Sequence, residues 1–189
     1  MSLRFVLAVL FLFAGPARAE VIPLNLSSDY CTILRAFSQA ASADCPTPEG
    51  GVTRSLGGAD RMAVPPGDPT QERGYFIRFA FNSKDLSEEY KAHLTRLGQV
   101  FHAPETQGLC FKLVGHTDAV GSAGYNMALS EQRARTVHLF LVGVSGVTED
   151  RLKVEGRGET ALLPGVATSH GLNRRVEILA RPIGPTGCP

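Results

Sequence analysis

The chain has 189 residues, 43% of them apolar and 20% charged, with a formal net charge of +1, which is enough for one ordinary domain plus an arm. It carries no basic excess of the kind a nucleic-acid partner requires. A near-neutral surface also gives no general adhesion to an anionic polymer, so any such affinity has to come from a local pocket.

Residues 1–19 have the layout of an export signal: Arg4 in a short positive region, an apolar run over 5–14, and Ala17-Arg18-Ala19 as a small-x-small cleavage site. The run is too short for the roughly 20 residues that span a bilayer. Cleavage removes Arg4 and Arg18, takes the formal charge from +1 to −1, and leaves no cysteine at the new N-terminus, the first being Cys31. The expectation is an exported, periplasmic protein with no membrane span after cleavage and no lipid attachment. Four cysteines, Cys31, Cys45, Cys110 and Cys188, remain in the mature chain. An even count in an exported protein favours disulfides, with three pairings possible, and closeness in sequence favours Cys31 with Cys45. No C-x-x-C pair with zinc-module spacing is present.

Residues 20–74 read as an arm. Ser28 or Asp29 can cap a helix reaching about Ala41, with Tyr30, Ile33, Leu34 and Phe37 on one face. Short apolar faces in small exported proteins are usually buried, so packing on the main domain is expected; a tip that binds another envelope protein is the other reading. From Pro46 the dense proline and glycine content argues for a linker.

The compact domain is expected over 75–182, with a tail over 183–189. A strand over 76–81 is followed by a helix capped by Ser87, with Glu88 and Glu89 in its first turn and Tyr90, Leu94, Leu97 and Phe101 on its core face. A second strand over 111–117 leads to a second helix over 126–141, whose buried stripe is Met127, Ala134, Val137 and Leu141. Strands over 152–155 and 175–179 complete a β-α-β-α-β-β order. That order makes an α+β two-layer sandwich, with two helices on one face of a four-stranded sheet.

Residues 114–134 organise the rest. Asp118 sits where the second strand stops, Asn126 stands at the start of the following helix, and Arg133 lies two turns into it. At about 100° per residue, Asn126 and Arg133 point within roughly 20° of each other, so both can face a ligand over the strand end. A pocket with one carboxylate, one guanidinium and one amide suits a zwitterion.

These residues carry a resemblance. Gly115-His116-Thr117-Asp118, then Asn126 with Leu129-Ser130 and Arg133-Ala134, then Asn173-Arg174-Arg175-Val176-Glu177 resemble the signature of the OmpA-like peptidoglycan-binding family over residues 76–181. The resemblance implies a mixed sheet in the order first, fourth, second, third strand, with the fourth antiparallel to its neighbours. That order places Cys188 beside Cys110 and implies their pairing. It implies that Asp118 accepts hydrogen bonds from the ammonium of a diaminopimelate-type residue in a peptidoglycan stem peptide and that Arg133 binds its carboxylate. Asn126 and Arg174 then act as further ligand contacts, with Thr117 and Asn82 on the rim. Strand alternation puts Arg174 and Arg175 on opposite faces; the binding role goes to Arg174, and Arg175 pairs with Glu155 or Glu177, although the two can be exchanged. The family's first strand usually ends in an aspartate where this chain has Asn82, which keeps an acceptor oxygen without the charge and holds an ammonium less firmly.

His116 and Asp118 lack the further ligand a catalytic metal needs, and no nucleophile elbow or H-E-x-x-H motif occurs. The expectation is therefore a non-catalytic protein without cofactor that links an envelope component to the cell wall. The alternative is an OmpA-like interaction module of the envelope with weakened peptidoglycan binding.

Overall fold

The computed structural model describes residues 20–21, 26–38, 45 and 73–188. The expected export signal over 1–19 and the Pro/Gly-rich stretch over 46–72 lie outside the described residues. In chain order the elements are β1 (Glu20–Val21), α1 (Tyr30–Phe37), β2 (Arg73–Arg78), α2 (Glu88–His102), β3 (Leu109–Gly115), α3 (Ala123–Gly143), β4 (Leu152–Gly156) and β5 (Arg175–Pro182).

The sheet order is β1-β2-β5-β3-β4. Strand β5 runs antiparallel to both β2 and β3, whereas β3 and β4 are parallel. Leaving aside the two-residue β1, this is the order first, fourth, second, third. Alternation along the strands sends Tyr75, Ile77, Phe111, Leu113, Val176 and Ile178 to one face, where they are buried under the helices. The result is an α+β two-layer fold.

A third helix joins the helical layer. Asp29 caps α1 by accepting from the Thr32 backbone N–H at 2.8 Å, and the helix ends at Phe37, short of Ala41. Its face does pack on the domain: Ile33, Leu34 and Phe37 belong to the main core. Phe37 meets Phe101 and Phe111 edge-on, with ring centroids at 5.6 and 5.9 Å. The Leu26 carbonyl accepts from Arg96 Nη2 and lies 3.1 Å from His93 Nδ1, fastening the segment to α2. A disulfide joins Cys31 to Cys45, and a second joins Cys110 to Cys188 across the sheet margin with Cα atoms 5.5 Å apart. A Phe37→Ala variant is expected to lose about 3 to 5 kcal/mol, the usual cost of emptying a phenylalanine site in a packed core. Urea unfolding measures this, and an unchanged midpoint would show that α1 is not part of the cooperative core.

Several boundaries differ from the sequence expectation. Strand β2 lies three residues earlier, because Arg73 already pairs with Ala180 while the chain turns at Phe81 and Asn82. Strand β5 extends to Pro182, opposite Leu109. Helix α3 starts three residues before Asn126, since Ser122 is the residue whose side chain caps it. Met127, expected inside, is 43% exposed; the inward stripe runs Asn126, Leu129, Ser130, Arg133, Ala134, Val137 and Leu141. The helix closes where Gly146, at φ 68°, lets Val147 N–H reach the Leu141 carbonyl and its own N–H reach that of Val142.

Helix α3 lies unusually close to the ends of β3 and β4. Gly115 and Gly156 are register partners, and a Cβ on Gly115 would fall 1.9 Å from the Ser130 carbonyl oxygen. Only glycine there lets the first turns of α3 settle over the strand ends, which brings Asn126 and Arg133 beside Asp118.

Candidate functional site

The loop leaving β3 is strapped down by its backbone. Thr117 N–H donates to the Gly158 carbonyl at 2.9 Å, and Ala119 N–H donates to that of Thr168 at 3.0 Å. Ser130 Oγ, on α3, accepts from Gly158 N–H at 2.8 Å and ties the same loop to the helix. These restraints hold Thr117 and Asp118 below the start of α3.

Asn82, Thr117, Asp118, Asn126, Arg133 and Arg174 all line one open cleft of about 240 Å³, counting the space at its mouth. The six come from the β2–α2 loop, the β3–α3 loop, α3 and the approach to β5. Asp118 is almost fully buried. Its Oδ2 accepts from Arg174 Nη1 at 2.9 Å, and its Oδ1 accepts from Val120 N–H at 3.3 Å. Arg174 also donates from Nε to the Phe79 carbonyl at 3.2 Å.

Arg133 carries more structural duty than its spacing suggested. It has no exposed surface, and it donates from Nε to Ser83, from Nη1 to His116 and from Nη2 to Ala80, all backbone carbonyls, at 2.8, 3.1 and 3.1 Å. Three of its five N–H groups are thereby committed, and two remain. Burial, then the nearby Arg174, lowers its guanidinium to about 10, so it stays charged at neutral pH. Asn126 is not a helix cap. Its Nδ2 faces the carbonyls of Asp118 and Val120, each at 3.3 Å, and a carboxylate oxygen of Glu159, so it pins the β3–α3 loop.

Sequence reasoning missed the apolar rim, formed by Phe81, Val120 and Tyr125 around the mouth and Leu129 below them. Phe81 and Tyr125 are 62% and 50% exposed, and the Tyr125 hydroxyl donates to Asn82 Oδ1 across the cleft. The signal was adjacency, since each aromatic immediately precedes a predicted site residue. Glu159 was also missed, because 33 residues separate it from Asn126 and no spacing rule links them.

Arg175 does not line the cleft. It pairs with Glu177 at 2.6 Å and lies over the Phe76 ring at 5.5 Å, while Glu155 serves Lys112 and Arg157. His116 and Asp118 part company, because the strand ends at Gly115 and His116 turns to Glu177, 3.4 Å away but poorly aligned for a hydrogen bond. Among the described residues no cluster of three His, Cys, Asp or Glu can hold a metal ion, and no helix is long and apolar enough to cross a membrane.

Burial pushes the His116 imidazole below the ordinary value of 6.5, with Glu177 offsetting only part of the effect; burial does the same to His93. As pH falls below about 6.5, the unfolded chain takes up protons that the folded form refuses, so this contribution to stability is present above that pH and is lost below it. The urea midpoint is therefore expected to fall between pH 7.5 and pH 5. A midpoint that rises over the same interval would contradict the neutral, buried assignment of the two rings.

The sequence profile of the OmpA family matches residues 78–174, just over half of the chain. Outer membrane protein A of Bordetella avium is 35% identical over 102 residues, covering 53% of this chain and 51% of that protein. Outer membrane porin F of Pseudomonas aeruginosa is 36% identical over 104 residues, covering 53% of this chain and 29% of that one. The chain thus spans about half the length, or less, of these curated relatives. Among solved structures, the OmpA-like domain of FopA1 from Francisella tularensis superposes with a TM-score of 0.52 at 21% identity, over 58% of this chain and 72% of that one. The peptidoglycan-associated lipoprotein from Burkholderia pseudomallei superposes with a TM-score of 0.50 at 25% identity, over 56% of this chain and 89% of that one. With its profile match over half of the chain and its sheet order, the chain belongs to the OmpA family.

Proposed function

We propose that this protein binds peptidoglycan without catalysis, gripping the diaminopimelate-type residue of a stem peptide in the cleft at the end of β3, and so links an envelope component to the cell wall. The observation that carries the reading is the convergence of Asp118, Arg133 and Arg174 in one small cleft. A carboxylate with spare lone pairs beside guanidinium N–H groups complements an ammonium and a carboxylate on one carbon.

In this reading Asp118 accepts from the ligand ammonium on lone pairs that Arg174 and Val120 leave open. The two uncommitted N–H groups of Arg133, together with Arg174, receive the carboxylate, and Asn126 keeps the loop in place through Glu159. The Burkholderia structure, named as a peptidoglycan-associated lipoprotein, supports the assignment by analogy of fold. The expected export signal and the two disulfides suit an oxidising periplasm.

A second reading, an envelope interaction module that no longer grips the wall, draws on Asp118 being already engaged by Arg174. Titration of free meso-diaminopimelate into isotope-labelled protein separates the two. The peptidoglycan reading expects amide shifts confined to Thr117, Asp118, Asn126 and the 80–83 turn, and a spectrum unchanged at millimolar ligand supports the second reading. Incubation with sacculi should release no muropeptides; their appearance would contradict a non-catalytic role.

A further inference from the structure

The polar atoms of the cleft are unevenly divided between donors and acceptors. Tyr125 spends its hydroxyl proton on Asn82 Oδ1, which takes one of that oxygen's two lone pairs and leaves both Nδ2 protons as donors that Asn82 can offer. The backbone under that amide is special: Asn82, at φ 51°, is the one non-glycine residue with positive φ among those described. Thr117 is among the residues that line the cleft, and its Oγ1 is buried, on a residue only 2% exposed, with no hydrogen-bond partner. A buried hydroxyl without a partner is costly unless a ligand completes it. Arg133 adds two uncommitted N–H groups, and Arg174 donates from Nε and Nη1 while its Nη2 makes no hydrogen bond among the described residues.

Acceptors are scarcer. Asp118 is the one carboxylate lining the cleft, and each of its oxygens already accepts once. Asn126 offers only its neutral Oδ1, while Glu159 is spent on Asn126 Nδ2 from outside the lining. Two guanidinium charges thus face one carboxylate already paired with one of them.

Resting on the peptidoglycan reading, we infer that the cleft is first a carboxylate site, in which the ligand's distal carboxylate is obligatory and its distal ammonium secondary. Thr117 and the Asn82–Tyr125 pair are the specificity-determining residues. Thr117 donates to the carboxylate, and Tyr125 turns the Asn82 amide so that its N–H groups face the ligand. A diamino acid whose amine is acylated, as at a cross-link between two stems, remains a ligand. One whose carboxylate is amidated does not.

Calorimetric titration of the purified protein tests this with three peptides: L-alanyl-γ-D-glutamyl-meso-diaminopimelyl-D-alanine, its distal N-acetyl derivative and its distal carboxamide. Amidation is expected to weaken binding about tenfold or more, the scale of lost hydrogen bonds to a charged group, and acetylation by no more than about threefold. Tyr125→Phe, which frees the Asn82 oxygen, is expected to widen the acetylation penalty. Thr117→Val is expected to weaken the parent and acetylated peptides about equally. An acetylation penalty equal to or larger than the amidation penalty in the unmodified protein overturns the inference while leaving the peptidoglycan reading intact. Failure of the parent peptide to bind at all removes that reading, and the inference with it.

Discussion

An Arg133→Ala variant is expected to lose about 3 to 5 kcal/mol of unfolding free energy. The guanidinium is fully buried and satisfies three carbonyls from two separate loops, at Ser83, Ala80 and His116. Removing it orphans all three, at about 1 to 3 kcal/mol for each buried group that water does not reach. Stacking over Phe79, with the guanidinium carbon 5.4 Å from the ring centre, is lost as well. Arg133→Lys should recover only part of this, since one ammonium cannot reproduce a planar fork aimed at three diverging acceptors. Urea unfolding of the three proteins gives the answer, and an Arg133→Ala midpoint within error of the parent would mean that these bonds do not hold the β2–α2 loop. Loss of ligand binding by this variant alone therefore says little about ligand contact.

Gly115→Val should be nearly as damaging and more specific to the site. Even the first added carbon would meet the Ser130 carbonyl at 1.9 Å, and the obstacle is backbone rather than a side chain that can rotate away. Helix α3 must lift from β3, which carries Asn126 and Arg133 away from Asp118. The expected cost is about 3 kcal/mol, at the upper end for overpacking a tight contact, with loss of ligand binding even in the fraction that stays folded. Gly115→Ala should show a smaller stability loss with binding already impaired. Full binding in a folded Gly115→Val protein would show that the close helix–strand approach does not set the cleft.

The fold was largely legible because its signals were local. Ser87 followed by two glutamates marks the start of α2, and Leu94, Leu97 and Phe101 recur at helical spacing and are buried. The start of α3 was misplaced because Asn126, itself a good capping residue, masked Ser122 one turn earlier. Met127 looked like a core position because it lies only about 20° from Ala134 around the helix, yet it sits at the edge of the inward arc, near the helix start, and is 43% exposed.

At the site, residue types and spacing brought Asp118, Asn126 and Arg133 together and the family resemblance added Thr117, Asn82 and Arg174; all six line one cleft. What spacing could not convey was where each hydrogen bond goes. The charge of Arg133 is visible in a sequence, but three backbone carbonyls converging on it are not. Asp118 reads as a free carboxylate until the chain folds back from Arg174, 56 residues later. The Tyr125–Asn82 bond likewise depends on two loops that meet only in the folded molecule.

The central claim, that this cleft grips the wall, is tested most directly by co-sedimentation with purified sacculi. The pair to compare is the parent protein and Asp118→Ala, with folding checked by circular dichroism. Asp118 is the suitable position because its main partner, Arg174, keeps contact with water and with the Phe79 carbonyl, so the variant should still fold, with a loss of about 1 to 3 kcal/mol for the groups left unpaired around this buried carboxylate. The account predicts that the parent pellets with sacculi and that folded Asp118→Ala is depleted from the pellet by about tenfold, because Arg174, released from its partner, is no longer aligned for the ligand carboxylate and the ammonium contact is lost as well. A parent that stays in solution, or a folded variant that pellets as well as the parent, would contradict it.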